Sequence, residues 1–331
     1  MLPLTITDVR AVPGDSAFLI DDGETAVLCD TGFGFTGYAV ADNIRRILGN
    51  RPLDYILLTH SHYDHALGSV YLRKRYPNVQ VVAGAYAQKI FQKPTARAVM
   101  RDLDRKAAMD SGVAEYEDLI DELRADISVS DGDTIRCGRM EFTAVELPGH
   151  TKCSVGYYLA ENQLLLASES LGVYIGDGVY LSSFLVGYQM TLDSIRKAGV
   201  PVFVLYESPH RIVDLVEQLA EVWPQCMLCV CSDLTKRYEK MYRGTAPEVL
   251  ALLSANPNVD KGEYCMAVDI SMLPPMEEKT APQMTAEVFL LARILEGDDF
   301  DEAVEAAKDA GYPRNELYKA KLRVSELFEE E

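Results

Sequence analysis

Apolar residues in the first two hundred positions come in short runs separated by turn-forming residues. Runs at Ala17-Phe18-Leu19-Ile20, Ala26 to Cys29, Tyr55 to Leu58, Val79 to Val82, Phe142 to Leu147, Val155 to Leu159 and Leu164 to Ala167 predict strands. Residues 38–48 carry Val40, Ile44, Ile47 and Leu48 at helical spacing, so a helix is expected there, ending near Gly49-Asn50. The stretch from Tyr86 to Leu123 is long, charged and largely helical in pattern, and it interrupts two strands. Further on, a helix is expected over 188–197 and a strand over Val202 to Leu205, with helical repeats after it. Pro274-Pro275 and Pro282 mark a linker over 271–283, and a helical tail runs from Phe300 to Leu322. The pattern divides the chain into 1–200, a smaller α/β module at 201–270, the linker, and a helical tail at 284–331.

Composition narrows the class. With 331 residues, 48% of them hydrophobic, the chain can bury at least one substantial core. No apolar run reaches the ~18 residues of a membrane span. Met1-Leu2-Pro3-Leu4-Thr5 lacks a basic region followed by a long apolar stretch, so a cytoplasmic protein without membrane partners is the expectation. A net charge of −19 argues against a nucleic-acid partner bound through a basic face. Arg73-Lys74-Arg75 reads as solvated helix-end charge, and Glu329-Glu330-Glu331 as a soluble tail. Seven cysteines without framework spacing fit a reducing compartment. Cys226, Cys229 and Cys231 could bind metal or do redox work, but their apolar run favours buried thiols in a strand.

The chemistry concentrates in histidine, the commonest metal ligand. Of five histidines, His60, His62 and His65 stand in Thr59-His-Ser-His-Tyr-Asp-His65, and His150 in Leu147-Pro-Gly-His-Thr151. On an extended segment side chains alternate, so His60 and His62 point the same way and can share one ion. Asp64 and His65 diverge from that pair and suit a second ion nearby. A polar surface loop is the plainer reading. It is disfavoured because Tyr55-Ile-Leu-Leu58 delivers the cluster to a strand end and Gly68 follows where a helix can begin.

At these residues the first 200 positions resemble a metallo-β-lactamase-fold hydrolase, whose pattern is His-x-His-x-Asp-His after a strand. Asp30-Thr31-Gly32, Gly132-Asp133 and Pro148-Gly-His150 stand in the family's order. The resemblance implies an αββα sandwich with metals at one edge. It implies two divalent ions, zinc or else iron or manganese. His60, His62 and His150 would hold the first, and Asp64 with His65 the second, with Asp64 also passing a proton. Glu169 takes the place of the usual bridging Asp, one methylene longer. His210 follows Val202 to Leu205, where a last ligand is due. It lies several residues late in a Ser-Pro-His-Arg turn, so it is expected to be a weak or absent ligand. The implied activity is attack by metal-bound hydroxide on an ester, thioester, lactone or phosphodiester of a small-molecule substrate. Insertions such as 86–123 cover the cleft in this family. Tyr86, Phe91, Met100 and Tyr116 are therefore candidate pocket residues, with plain packing of the insertion the stronger reading for each. Cys153 is expected to line the site or pack.

Beyond residue 200 a second resemblance begins. Tyr206-Glu-Ser-Pro-His-Arg211, Ser232-Asp-Leu-Thr-Lys236, Arg243-Gly-Thr245 and Asn315-Glu-Leu-Tyr-Lys319 are similar to the C-terminal part of the 16S ribosomal RNA ribose 2′-O-methyltransferases, in the tetrapyrrole-methylase family. The front half of that pattern, with the Gly-rich loops that seat S-adenosylmethionine, has no counterpart here. A hydrolase joined to part of a methylase is the expectation. The alternatives are a truncated S-adenosylmethionine-dependent methyltransferase-like module and a non-catalytic interaction protein. Metal content and cofactor binding discriminate among the three.

Overall fold

The computed structural model describes residues 2–171, 173–176, 179–181, 189–234, 236–274, 284–296 and 298–326. Among them, β1 (Thr5–Asp8), β2 (Phe18–Asp21) and β3 (Ala26–Cys29) form an antiparallel meander. After α1 (Gly37–Leu48) the sheet continues in parallel through β4 (Tyr55–Leu58). Next come α2 (Tyr63–Ala66), α3 (Gly68–Arg75), β5 (Gln80–Gly84), α4 (Ala85–Phe91), α5 (Pro94–Asp110) and β6 (Ile127–Val129). Strand order follows chain order, as short right-handed crossovers dictate. A parallel strand is covered on both faces, which is why Ala26–Cys29 is apolar throughout and wholly buried. Leu28, Ile56, Leu58 and Val81 face the helices, while Val27, Leu57 and Val82 face the second sheet.

That second sheet is antiparallel: β7 (Thr134–Cys137), β8 (Met140–Glu146), β9 (Val155–Leu159) and β10 (Leu164–Leu166), in the order β10-β9-β8-β7. Phe142, Ala144 and Tyr157 point into the sandwich, and Val145, Leu147 and Tyr158 point out of it. Strands β11 (Val173–Gly176) and β12 (Val179–Leu181) form a small ribbon, followed by α6 (Gln189–Lys197). Leu192 and Ile195 of α6 cover the outer face of the second sheet, completing the αββα layering.

The module then runs β13 (Val202–Glu207), α7 (Ile212–Val222), β14 (Met227–Ser232), β15 (Lys240–Thr245), α8 (Ala246–Ser254) and β16 (Tyr264–Asp269). Its antiparallel sheet has the order β13-β16-β14-β15. Its core takes in Leu205, Leu215, Trp223, Val230 and Met266, and the same cluster includes Val145, Leu147 and Tyr158. Residues Met1–Leu273 accordingly form one compact unit. A second unit, Pro274–Glu331, contains α9 (Ala286–Glu296), α10 (Phe300–Asp309) and α11 (Arg314–Glu326) around Leu290, Ala303, Ala307 and Ala320. Asp299 and Glu302 cap α10 reciprocally. No helix among the described residues is long and apolar enough to cross a membrane.

Several sequence expectations shift. The helix expected through Leu123 stops at Asp110, because Gly112 turns the chain left-handed at φ 79° and only a single 3-10 turn, Ile120–Glu122, follows. The tail is two helices, broken where Gly311 (φ 88°) and Pro313 intervene. Of the thiols expected to be buried in a strand, Cys226 is buried, but Cys229 and Cys231 are half-buried: Leu228 and Val230 take the core side of β14. The linker expected at 271–283 lies, from 275 on, outside the described residues, as do the glutamates 329–331.

One glycine is dictated by close approach. A Cβ on Gly68, at the start of α3, would lie 1.9 Å from the Thr31 carbonyl oxygen, which is backbone and cannot rotate away. Gly68→Ala is expected to cost about 3 kcal/mol, the upper end of overpacking penalties. A urea midpoint equal to that of the parent would contradict this packing.

Candidate metal centre

Strand β4 ends at Leu58, and the next seven residues carry most of the site. His60 follows the buried Thr59, His62 caps α2 in an extended conformation (φ −68°, ψ 150°), and Asp64 and His65 occupy the first turn of α2. His150 lies on the loop after β8, and Glu169 on the 3-10 turn after β10. The structure brings these together. The His60 ring lies 4.5 Å from His62, 4.2 Å from His65 and 5.0 Å from His150, centroid to centroid. Glu169 Oε2 lies 2.7 Å from His150 Nε2, and 3.9 Å from both His60 Nε2 and His65 Nε2. His150 Nε2 is also 3.0 Å from His62 Nδ1, and Asp64 Oδ2 is 3.8 Å from His65 Nε2.

This convergence fits a cation. One ligand atom from each of His60, His62, His150 and Glu169 lies within 4.8 Å of the others. His60 Nε2, His150 Nδ1 and Asp64 Oδ1 are buried without a hydrogen-bond partner. Such orphans are costly in a native interior unless an ion satisfies them. Imidazole nitrogens with carboxylate oxygens suit zinc, iron or manganese.

The surroundings orient the rings. Asp30 is buried and sits at φ 55°, a left-handed conformation that Asp tolerates. Its carboxylate accepts hydrogen bonds from the Thr59 N–H at 2.9 Å, the Thr59 and Ser168 hydroxyls, and His65 Nδ1 at 2.8 Å. That bond turns His65 Nε2 toward Asp64 and Glu169. Thr59 Oγ1 meets His60 Nδ1 at 3.1 Å and leaves Nε2 facing the cluster. Electrostatics follow. Burial, reinforced by the other rings, pushes His60 well below the usual imidazole range and His62 down to about 4. Burial pulls His65 down too, but the Asp30 carboxylate outweighs it and lifts the ring to about 9. Glu169 is raised by burial, yet its bond to His150 and the nearby rings bring it below the ordinary value. The neutral His60 and His62 rings and the Glu169 carboxylate therefore share one point, while His65, protonated in the metal-free protein, has a proton to give up to an incoming cation.

Other expected residues lie elsewhere. His210 is exposed on the turn between β13 and α7, and among the described residues no ring contact or ion pair ties it to the cluster. Phe91 and Met100 belong to the core between helices and sheet, Tyr86 is exposed, and Tyr116 donates to the buried Asp104 at 2.5 Å. Cys153 is buried, 3.3 Å from Ser61 Oγ and 3.2 Å from Thr151 Oγ1, beneath the His150 loop. The Glu-Ser-Pro-His-Arg turn holds itself together: Glu207 is buried and pairs with Arg211 at 3.2 Å. Asp30, Thr59 and Ser168 are the functional residues that sequence reading passed over. The Asp30-Thr31-Gly32 pattern was the one available signal.

Residues 12–203 match the family described as the metallo-beta-lactamase superfamily. The hydroxyacylglutathione hydrolase of Cereibacter sphaeroides is 30% identical over 280 residues, 82% of this chain and 92% of that one. The ribosomal RNA small subunit methyltransferase I of Bacillus subtilis is 31% identical over 132 residues, 39% of this chain. The chain spans only 44% of that methyltransferase's length. An archaeal metallo-beta-lactamase superfamily protein from Sulfolobus tokodaii superimposes with a TM-score of 0.41, at 18% identity, over 57% of this chain and 74% of that one. The chain thus has two parts, one of them similar to a methyltransferase. With the family match spanning the strands and loops that carry the histidines, the chain belongs to the metallo-beta-lactamase superfamily.

Proposed function

We propose that this chain is a metal-dependent hydrolase of a small-molecule substrate, a thioester before an ester, lactone or phosphodiester. The observation that carries the reading is the position of Glu169 Oε2 among the Nε2 atoms of His150, His60 and His65. In this reading His60, His62 and His150 would hold one divalent ion and Asp64 and His65 a second, with the Glu169 carboxylate placed beside both sets. When bound, such ions lower the pKa of coordinated water from about 15.7 to ~7 and polarise the bond under attack. The chain's own contribution is orientation: Asp30 fixes His65, Thr59 fixes His60, and Asp64 keeps one buried oxygen free to take a proton and return it to the leaving group. The preference for a thioester rests on the Cereibacter relative, whose name makes its substrate a hydroxyacyl derivative of glutathione.

Metal-loaded protein assayed against thioester, ester and phosphodiester panels tests this, with chelator abolishing turnover. Full metal content without hydrolysis in any panel would overturn it. Ligand assignment has its own test: His65→Ala is expected to release about one equivalent of metal and His210→Ala almost none. Equal loss from both would make His210 a ligand.

A further inference from the structure

The hydrolase reading leaves the cysteine-rich strand unexplained. Along β14, Leu228 and Val230 enter the module's core, so Met227, Cys229 and Cys231 share the opposite face. Register places Cys231 directly across from Cys265 of β16 on one side and Met241 of β15 on the other. Cys229 and Cys231 lie two residues apart on that face. Cys226, adjacent in sequence, is buried in the core and takes no part. Three half-buried free thiols and an exposed thioether thus meet around Cys231.

We propose that Cys229, Cys231 and Cys265 form a second metal site that takes a soft monovalent cation, copper(I), independently of the histidine centre. Soft thiolate ligands favour copper(I), whereas the imidazole and carboxylate ligands of the other centre favour harder ions. Among the described residues the histidine–glutamate group alone has its ligand atoms already gathered, so these sulfurs converge on binding. Convergence needs only side-chain rotation. Cys231 and Cys265 are directly opposed, with Cβ atoms about 4.5–5.5 Å apart, and Cys229 lies diagonally about 7–8 Å from Cys265, spans that one ion bonded to sulfur at ~2.3 Å can bridge. Burial and the neighbouring Cys229 thiol push Cys231 up to about 11 and raise Cys265 as well. The empty group therefore holds its protons, and the incoming cation displaces them to solvent. Arg243, across from Cys229, offsets the negative charge that results.

The test uses reduced, zinc-loaded, full-length protein titrated anaerobically with copper(I) against a chromophoric chelator. Retention of about one equivalent is expected, with ultraviolet sulfur-to-copper absorption and protection of Cys231 and Cys265 from alkylation. Cys231→Ser and Cys265→Ser should each lose the copper, while Cys226→Ser keeps it and hydrolysis is unchanged in all three. Matching circular dichroism spectra guard against misfolding. Copper uptake that survives both serine variants, thiols alkylated equally with and without copper, or oxidation to a Cys231–Cys265 disulfide in place of uptake overturns the proposal.

Discussion

Hydrolysis by His62→Ala or His150→Ala should fall by about a thousandfold or more, because each removes a nitrogen from an ion that supplies several kcal/mol of charge stabilisation. These two positions separate chemistry from folding. Both rings are partly exposed, with 15% of the His150 side chain accessible, so truncation opens no deep cavity. His60 and His65 are almost wholly buried, and their loss would mix the two effects. Metal analysis, turnover and urea midpoint on the same preparations decide the matter. Unchanged metal and unchanged turnover in both variants would remove these residues from the site.

Asp30→Ala should damage stability and metal binding together. The carboxylate is buried and receives the Thr59 N–H, the hydroxyls of Ser16, Thr59 and Ser168, and the His65 ring N–H, all of which lose their anionic acceptor in the variant. Stranding buried groups that were paired with a charge costs about 3–5 kcal/mol. Loosening the orientation of a ligand His costs a further 10–100-fold, approximately, in metal affinity. Asp30→Asn should keep more of the stability, since Asn also tolerates φ 55° and still accepts one N–H, but it should share the loss of affinity. Denaturant melts and chelator competition report the two effects separately. An Asp30→Ala protein with the parent's melt and affinity would refute the hub.

The parts of the fold legible in the sequence were those where burial is one-sided or complete. Ala26–Cys29 and Tyr55–Leu58 are strands where runs of apolar residues marked them, because no water-facing position interrupts a doubly covered strand. Strand β1 was not legible: it is an edge strand, mostly exposed, and reads as polar chain. The helix after Pro94 was over-extended because charged residues beyond Gly112 retain helical composition without helical contacts. At the site, His60, His62 and His65 were legible through their spacing, and His150 and Glu169 through the family resemblance. The Thr59–Asp30 bond joins residues 29 apart, and no local pattern encodes such a contact.

Val145, Leu147 and Tyr158 lie on the sandwich's second sheet and its edge, and they share one apolar cluster with α6 and with residues from beyond position 200. The two ancestries visible in the chain are therefore no longer separable modules. A gene cut at the junction would divide that cluster and leave apolar surface of α6 and its neighbours bare to water. The partner half would lose the lid over its own core. Selection acting on hydrolysis alone would then retain the methylase-like segment as scaffold, whether or not it ever touches a methyl group.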